Sequence, residues 1–232
     1  MNWCSRVLKG GRTFSRRLTN LLCKVSQANH HIRITSEARQ DITWWTHALE
    51  HFHGTAKFPM DIPLPSHVFS TDACKIGGGG HFGQDWFFAK WQLDYPQYAD
   101  AHINVLELLS VLIAAERWGP SWQGLHVMVR SDNGATVAAI NNNTSKSPEL
   151  LSLIRKLYWL SAKHDFTLSA SHIPGVDNVL SDCISRMFDI EKAELMKSLL
   201  MCDPPCFMYC TGHMSKASHV YLQGEWQRAW RS

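Results

Sequence analysis

The chain has 232 residues, 45% of them hydrophobic and 19% charged, with a net charge of +3. This composition belongs to a globular protein with a sizeable core and excludes wholesale disorder. No apolar run approaches the roughly 18 residues of a membrane span, no apolar stretch follows the first basic residues as in a secretory leader, and the seven cysteines read as free thiols rather than a disulfide framework.

The chain is therefore expected to be intracellular, nuclear or cytoplasmic, with no membrane partner. Its first segment, residues 1–60, carries the basic charge. Residues 1–36 hold Arg6, Lys9, Arg12, Arg16, Arg17, Lys24 and Arg33 and no acid, which leaves sixteen basic side chains against twenty acidic ones for the remainder. A basic arm beside an acidic body points to a polyanion, most commonly nucleic acid. A solvated helix face and a mitochondrial presequence are the alternatives that these residues leave open. Phe14, Leu18, Leu21, Leu22 and Val25 recur at helical spacing, and Thr35-Ser36-Glu37 opens a second helix expected to bury Ile42, Trp45 and Leu49. Gly54, Pro59, Pro63 and Pro65 close the segment.

The middle segment, residues 66–188, has the alternating pattern of an α/β domain. His67 to Ala73 reads as a strand, and Ile76 to Trp91 as a strand broken by the turn-like Gly77 to Gly80 and rebuilt around Trp86, Phe87 and Phe88. Ile103 to Trp118 repeats Val105, Leu108, Leu109, Leu112 and Ile113 at helical spacing, the clearest helix of the chain. Leu125, Val127 and Val129 alternate with polar or longer residues as a strand, and a short helix follows over Asn133 to Ile140. Ser147-Pro148-Glu149 is an N-cap, a first-turn proline and an acid facing the helix dipole, with Leu150, Leu151, Ile154, Leu157 and Tyr158 behind. Phe166, Leu168 and Ala170 make a last strand before a loop and a helix from Val176. The order is β-β-β-α-β-α-α-β-α.

Residues 189–232 form a third segment, a helix from Ile190 to Met201 and then a tail without clear periodicity. Cys202, Cys206, Cys210 and His213 are potential zinc ligands, but their spacing is not that of a zinc knuckle or ribbon and Pro204-Pro205 falls inside it. Free thiols are the preferred reading.

Four acids stand where strands end or helices bury a face: Asp72, Glu107, Asp132 and Asp182. Glu107 lies among Leu106, Leu108 and Leu109, where an ionised carboxylate is costly unless it is paired or binds a cation. Asp132, ahead of Asn133-Gly134, could instead cap the following helix.

The joint pattern Thr71-Asp72-Ala73, Asn104-x-x-Glu107, Ser131-Asp132-Asn133 and His172-x-x-Gly175-x-x-Asn178-x-x-x-Asp182 resembles the ribonuclease H domain of retroelement reverse transcriptases. The wording around it is most similar to tyrosine-recombinase retrotransposons of the DIRS type. Gly11-Arg12-Thr13-Phe14, His30-His31-Ile32-Arg33-Ile34-Thr35 and Trp44-Trp45 resemble the thumb and connection that precede ribonuclease H in such elements. The resemblance covers residues 8–188 and leaves the tail unmatched.

That resemblance implies an α/β, ribonuclease H-like fold, a five-stranded mixed sheet flanked by helices behind a small helical N-terminal remnant. It implies magnesium-dependent endonucleolytic cleavage of the RNA strand of RNA–DNA hybrids, with Asp72, Glu107, Asp132 and Asp182 holding two Mg2+ ions (Mn2+ as a substitute) about 4 Å apart on either side of the reacting phosphorus. His172 would assist proton transfer or product departure, the alternative being a surface histidine at a strand end. Asn104, Asn133 and Asn178 would touch the duplex, whose 2′-hydroxyls line a wide minor groove. A reverse transcriptase polymerase domain would be the companion, since no Tyr-x-Asp-Asp occurs here. Two departures stand out: Ser181 and Cys183 flank Asp182 where alanine and a small or apolar residue are usual, and the Gly77 to Gly80 run is expected to loosen its hairpin. The competing classes are a transposase or integrase, disfavoured by the mid-helix glutamate and the His-x-x-Gly loop, and a catalytically weak or domesticated fragment that only binds nucleic acid.

Overall fold

A computed structural model describes residues 5, 8, 10–27, 29, 31–52 and 64–200. The Cys202–His213 cluster and the prolines at 59 and 63 lie outside the described residues. The helices are α1 (Gly11–Leu22), α2 (Ser36–Glu50), the single turn α3 (Trp91–Asp94), α4 (Ile103–Trp118), α5 (Gly134–Asn142), α6 (Pro148–Lys163), α7 (Val179–Ser185) and α8 (Ile190–Leu200). The strands are β1 (His67–Ala73), β2 (Gly77–Phe82), β3 (Asp85–Lys90), β4 (His126–Ser131) and β5 (Thr167–His172).

The five strands form one sheet in the order β3-β2-β1-β4-β5. β2 runs antiparallel to both β1 and β3. β5 runs parallel to β4, since Thr167 N–H donates to the Leu125 carbonyl and Ile173 N–H to the Ser131 carbonyl. The chain is thus an α/β protein with a mixed five-stranded sheet and flanking helices, the class expected from its sequence.

The sheet order follows from local chemistry. Gly83, at φ 60, turns β2 into β3 in a left-handed conformation that glycine adopts without a side-chain clash. The four glycines before it are not the turn that the sequence predicted. They are the first two-thirds of β2, and each pairs across to β3, Gly77 with Lys90 through Gly80 with Phe87. Neither is the hairpin loosened: a Cβ on Gly78 would meet Trp91 and Ser110, and one on Gly79 would meet Ile184. The missing side chains are a packing solution, because only bare backbone lets α7 and Trp91 come this close to the sheet.

The chain divides into two compact units. One draws on Val68–Ala114, Val129–Asn133 and Ser171–Ser232, and within its described part α4 is the central element. Leu106, Leu108, Leu109 and Val111 are all buried, so α4 is covered on every side rather than along one stripe. Trp91 is fully buried and its indole N–H donates to the Cys74 carbonyl at 2.8 Å. Trp86, Cys183, Ile184, Met187 and Met196 make a second apolar cluster, which seats α7 and α8.

The other unit draws on Met1–His67, Ala115–Met128 and Gly134–Ala170. Ser147 caps α6 by accepting the Leu150 N–H, as its sequence predicts. Phe14 stacks on Trp44 (centroids 4.3 Å apart, 9° between planes) and meets Tyr158 edge-on at 5.2 Å. The Arg155 guanidinium lies 4.3 Å from the Phe14 ring centroid and 2.5 Å from the buried Asp41 carboxylate. This ion pair corrects the expected inner face of α2. Ala38, Asp41 and Trp45 are buried, whereas Ile42 and Leu49 are 41% and 49% exposed, because Asp41 must face Arg155 and turns the helix with it.

Candidate metal centre

Asp72, Glu107 and Asp132 come together from three elements of one unit. Asp72 is the penultimate residue of β1, Glu107 sits in the first half of α4, and Asp132 follows the last residue of β4. Each offers a carboxylate oxygen, and these oxygens all lie within 4.8 Å of one another. β1 and the mid-helix glutamate are locked in register from both sides. The Ala73 N–H donates to Glu107 Oε1 at 3.3 Å, and the Ser110 hydroxyl, one turn along α4, lies 3.3 Å from the Asp72 carbonyl.

The electrostatics of the cluster are dominated by negative charge, which Arg186 offsets only in part, at Asp72. Burial first, and then the neighbouring Asp72 and Asp132 carboxylates, push Glu107 up to about 9. Burial also raises Asp72, to about 6; the Ser185 hydrogen bond opposes the rise and the Asp132 and Asp182 charges add to it. Glu107 Oε2 is buried without a hydrogen-bond partner among the described residues. A buried, unpartnered carboxylate oxygen facing two further carboxylates is costly on its own and fits a hard divalent cation with oxygen ligands.

Asp182, the fourth expected acid, is close enough to raise Asp72 but does not join the three. Its Oδ1 accepts from Arg186 Nε at 2.7 Å and its Oδ2 from Lys192 Nζ at 2.6 Å. Ser181 and Cys183 beside it are fully buried, so their small side chains fit the sites they occupy.

The Gly175–Asp177 turn brings the loop before α7 against the cluster. A Cβ on Gly175 would stand 3.0 Å from Asp132 Oδ2, so the backbone approaches that carboxylate where a larger residue would crowd it. His172, at the exposed end of β5, has its Nε2 3.1 Å from the Asp132 carbonyl, which places its ring at the rim of the cluster. Asn104 and Asn133 are half-buried and joined, Asn133 Nδ2 donating to Asn104 Oδ1 at 2.9 Å. Asn178 is different. It is 3% exposed and donates to the Thr71 carbonyl at 3.0 Å, so it fixes the start of α7 against β1, where the resemblance implied a contact with the duplex.

Sequence reasoning missed Ser185. Its hydroxyl lies 2.5 Å from Asp72 Oδ2 and 3.0 Å from the Asp182 carbonyl, linking the last turn of α7 to the acidic strand. The available signal was the glycine run: Asp72 pairs with Gly79, and Ile184 packs where the Gly79 side chain would be, which is what brings the next residue, Ser185, to Asp72.

No protein-family model matches the chain, and no curated protein does. Among solved structures it is similar to a ribonuclease H1, LC11, isolated from compost by a metagenomic approach (18% identity, TM-score 0.37, 54% of this chain and 100% of that one). It is also similar to the N-terminal ribonuclease H domain of a Mycobacterium tuberculosis protein solved as a fusion with maltose-binding protein (13% identity, TM-score 0.38, 56% and 98%). A third likeness is to the prototype foamy virus protease–reverse transcriptase (11% identity, TM-score 0.31, 73% of this chain and 23% of that one). Identities this low transfer no residue role.

Proposed function

We propose that this chain is a ribonuclease H that hydrolyses the RNA strand of RNA–DNA hybrids with divalent cations, Mg2+ by preference and Mn2+ as a substitute. We assign its origin to a retroelement reverse transcriptase of the DIRS type and its companion to the polymerase domain of such an enzyme. The observation that carries the activity is the convergence of Asp72, Glu107 and Asp132, two of them buried, with an unpartnered Glu107 oxygen among them.

Asp72, Glu107 and Asp132 are the groups to hold a first cation, and Asp72 with Asp182 a second. Bound there, divalent cations supply Lewis acidity at the phosphoryl group and acidify the attacking water. The protein's own part is positional. Ser185 and the Ser110 contact keep Asp72 and its strand in place. The Asn104–Asn133 pair offers amide groups suited to the 2′-hydroxyls that distinguish RNA. His172, exposed at the rim, carries protons to or from the departing strand. The basic residues Arg12, Arg16 and Arg17 of α1 are read as phosphate contacts that add affinity without reading sequence.

The test is cleavage of a labelled hybrid in Mg2+ by the chain and its Asp132→Asn variant. The expected result is cleavage in the RNA strand, reduced about a hundredfold or more by the substitution, with circular dichroism unchanged. No cleavage by the parent chain, with or without a polymerase domain added in trans, or equal cleavage by the variant, overturns the proposal.

A further inference from the structure

Both oxygens of Asp182 are already taken by cations of the protein. Arg186, four residues on, occupies Oδ1, and Lys192, from a different helix, occupies Oδ2. Lys192 is not a free surface side chain that happens to reach. It is in the first turn of α8, directly before the buried Ala193 and one turn before the fully buried Met196. Met196 belongs to the cluster with Trp86, Cys183, Ile184 and Met187, so α8 is docked by its apolar side and the ammonium is delivered to a fixed place. The contact is 2.6 Å, with the lysine side chain 36% and the aspartate 26% exposed. No lysine or arginine among the described residues forms an ion pair with Asp72, Glu107 or Asp132; Arg186 reaches Asp72 only through its charge, from its place on Asp182, and the three accept hydrogen bonds from a backbone N–H and a hydroxyl.

The four acids therefore differ in kind. Three await positive charge, and the fourth has it built in. We propose that Lys192 is a positioning residue that holds Asp182 in reserve, so that a divalent cation occupies the Asp182 side only by displacing the Lys192 ammonium. The chain then loads cations in order, first at the three-carboxylate cluster and then, at higher concentration, beside Asp182. This inference rests on the reading of the cluster as a cation site, and α8 becomes a determinant of how much metal the site requires.

The experiment is a Mn2+ titration of the full chain followed by electron paramagnetic resonance, for the parent, Lys192→Met and Lys192→Arg, with lysine acylation mapped by mass spectrometry on the metal-free protein as a second measurement. The parent is expected to bind one equivalent tightly and a second more weakly. Lys192→Met should tighten the second equivalent about fivefold or more, the effect of deleting one partly buried ion pair, while leaving the first unchanged. Lys192→Arg should restore the parent behaviour. In the metal-free chain, Lys192 should be several-fold less reactive than in an Asp182→Asn variant. Superimposable isotherms for the parent and Lys192→Met, or equal Lys192 reactivity in the parent and Asp182→Asn, overturn the inference. Absence of any tight Mn2+ equivalent in all three proteins refutes the cluster as a cation site, and the acylation result then still decides whether Lys192 holds Asp182.

Discussion

Replacing Glu107 with glutamine separates what the cluster costs the fold from what it contributes to chemistry. In the folded, metal-free chain, burial and the neighbouring acids raise Glu107 from 4.5 to about 9, so at neutral pH it keeps a proton that the unfolded chain releases. The native state binds the extra proton, and stability must fall as pH rises through the interval between those two values. Each pH unit within it costs about 1.4 kcal/mol, and from about pH 5.5 to about pH 8 the loss attributable to Glu107 is about 3 kcal/mol. Glutamine is neutral throughout, keeps an oxygen for the Ala73 N–H, and loses nothing over the same range. Urea unfolding in EDTA, followed by the fluorescence of the ten tryptophans, should show the parent losing about 3 kcal/mol more than Glu107→Gln between these pH values. Mg2+ at about pH 8 should return stability to the parent by binding the ionised form and should stabilise the variant less, since the variant has lost one of the three clustered carboxylates. Parallel pH slopes for the two proteins would refute the picture of a buried, proton-loaded carboxyl awaiting a cation.

Three further outcomes follow from contacts already described. Ser185→Ala removes the hydroxyl that lowers Asp72, so Asp72 should climb above about 6 and the acidic limb of the hybrid-cleavage profile should move to higher pH, with a loss of about 1 kcal/mol in urea unfolding. Gly78→Ala pushes a methyl group into Trp91 and Ser110 and should cost about 1–3 kcal/mol by thermal denaturation. Asp41→Ala leaves the buried Arg155 guanidinium without its carboxylate and should cost about 3–5 kcal/mol in the same assay.

Where local chemistry and tertiary packing agree, the fold could be read from the sequence. The Ser147-Pro148-Glu149 cap, the apolar repeat of α4 and the alternation of β4 each name one element and its direction without help from distant residues. The failures share a cause. Gly77 to Gly80 is turn-like by composition, yet its conformation is set by Ile184 and Trp91, which arrive from far along the chain and need the space. The apolar stripe of α2 pointed to Ile42 and Leu49, but a single charged residue, Asp41, outweighs both because its partner Arg155 is fixed 114 residues away. The candidate site divides in the same way. Asp72, Glu107 and Asp132 are legible as a set through their joint spacing and the resemblance it carries; apolar surroundings alone mark Glu107, and Asp132 by itself also reads as a helix cap. The Lys192 pairing could not, since nothing in a helix of mixed charge announces which acid it will reach.

The glycine strand also bears on the order in which the molecule assembles. A strand that is two-thirds glycine has little of its own to hold register, and its four glycines surrender more chain entropy on ordering than other residues would. Part of the packing on β2 arrives only when α7, over 100 residues later in sequence, closes on Gly79 through Ile184, whereas the pairing with β3 is local. A contact that waits on so distant a partner contributes little to a folding nucleus. Asp72 depends on the same distant helix through Ser185, the residue after Ile184. The Ser185 support of the acidic cluster is therefore expected to form late in folding, after the helix that carries Glu107 has packed.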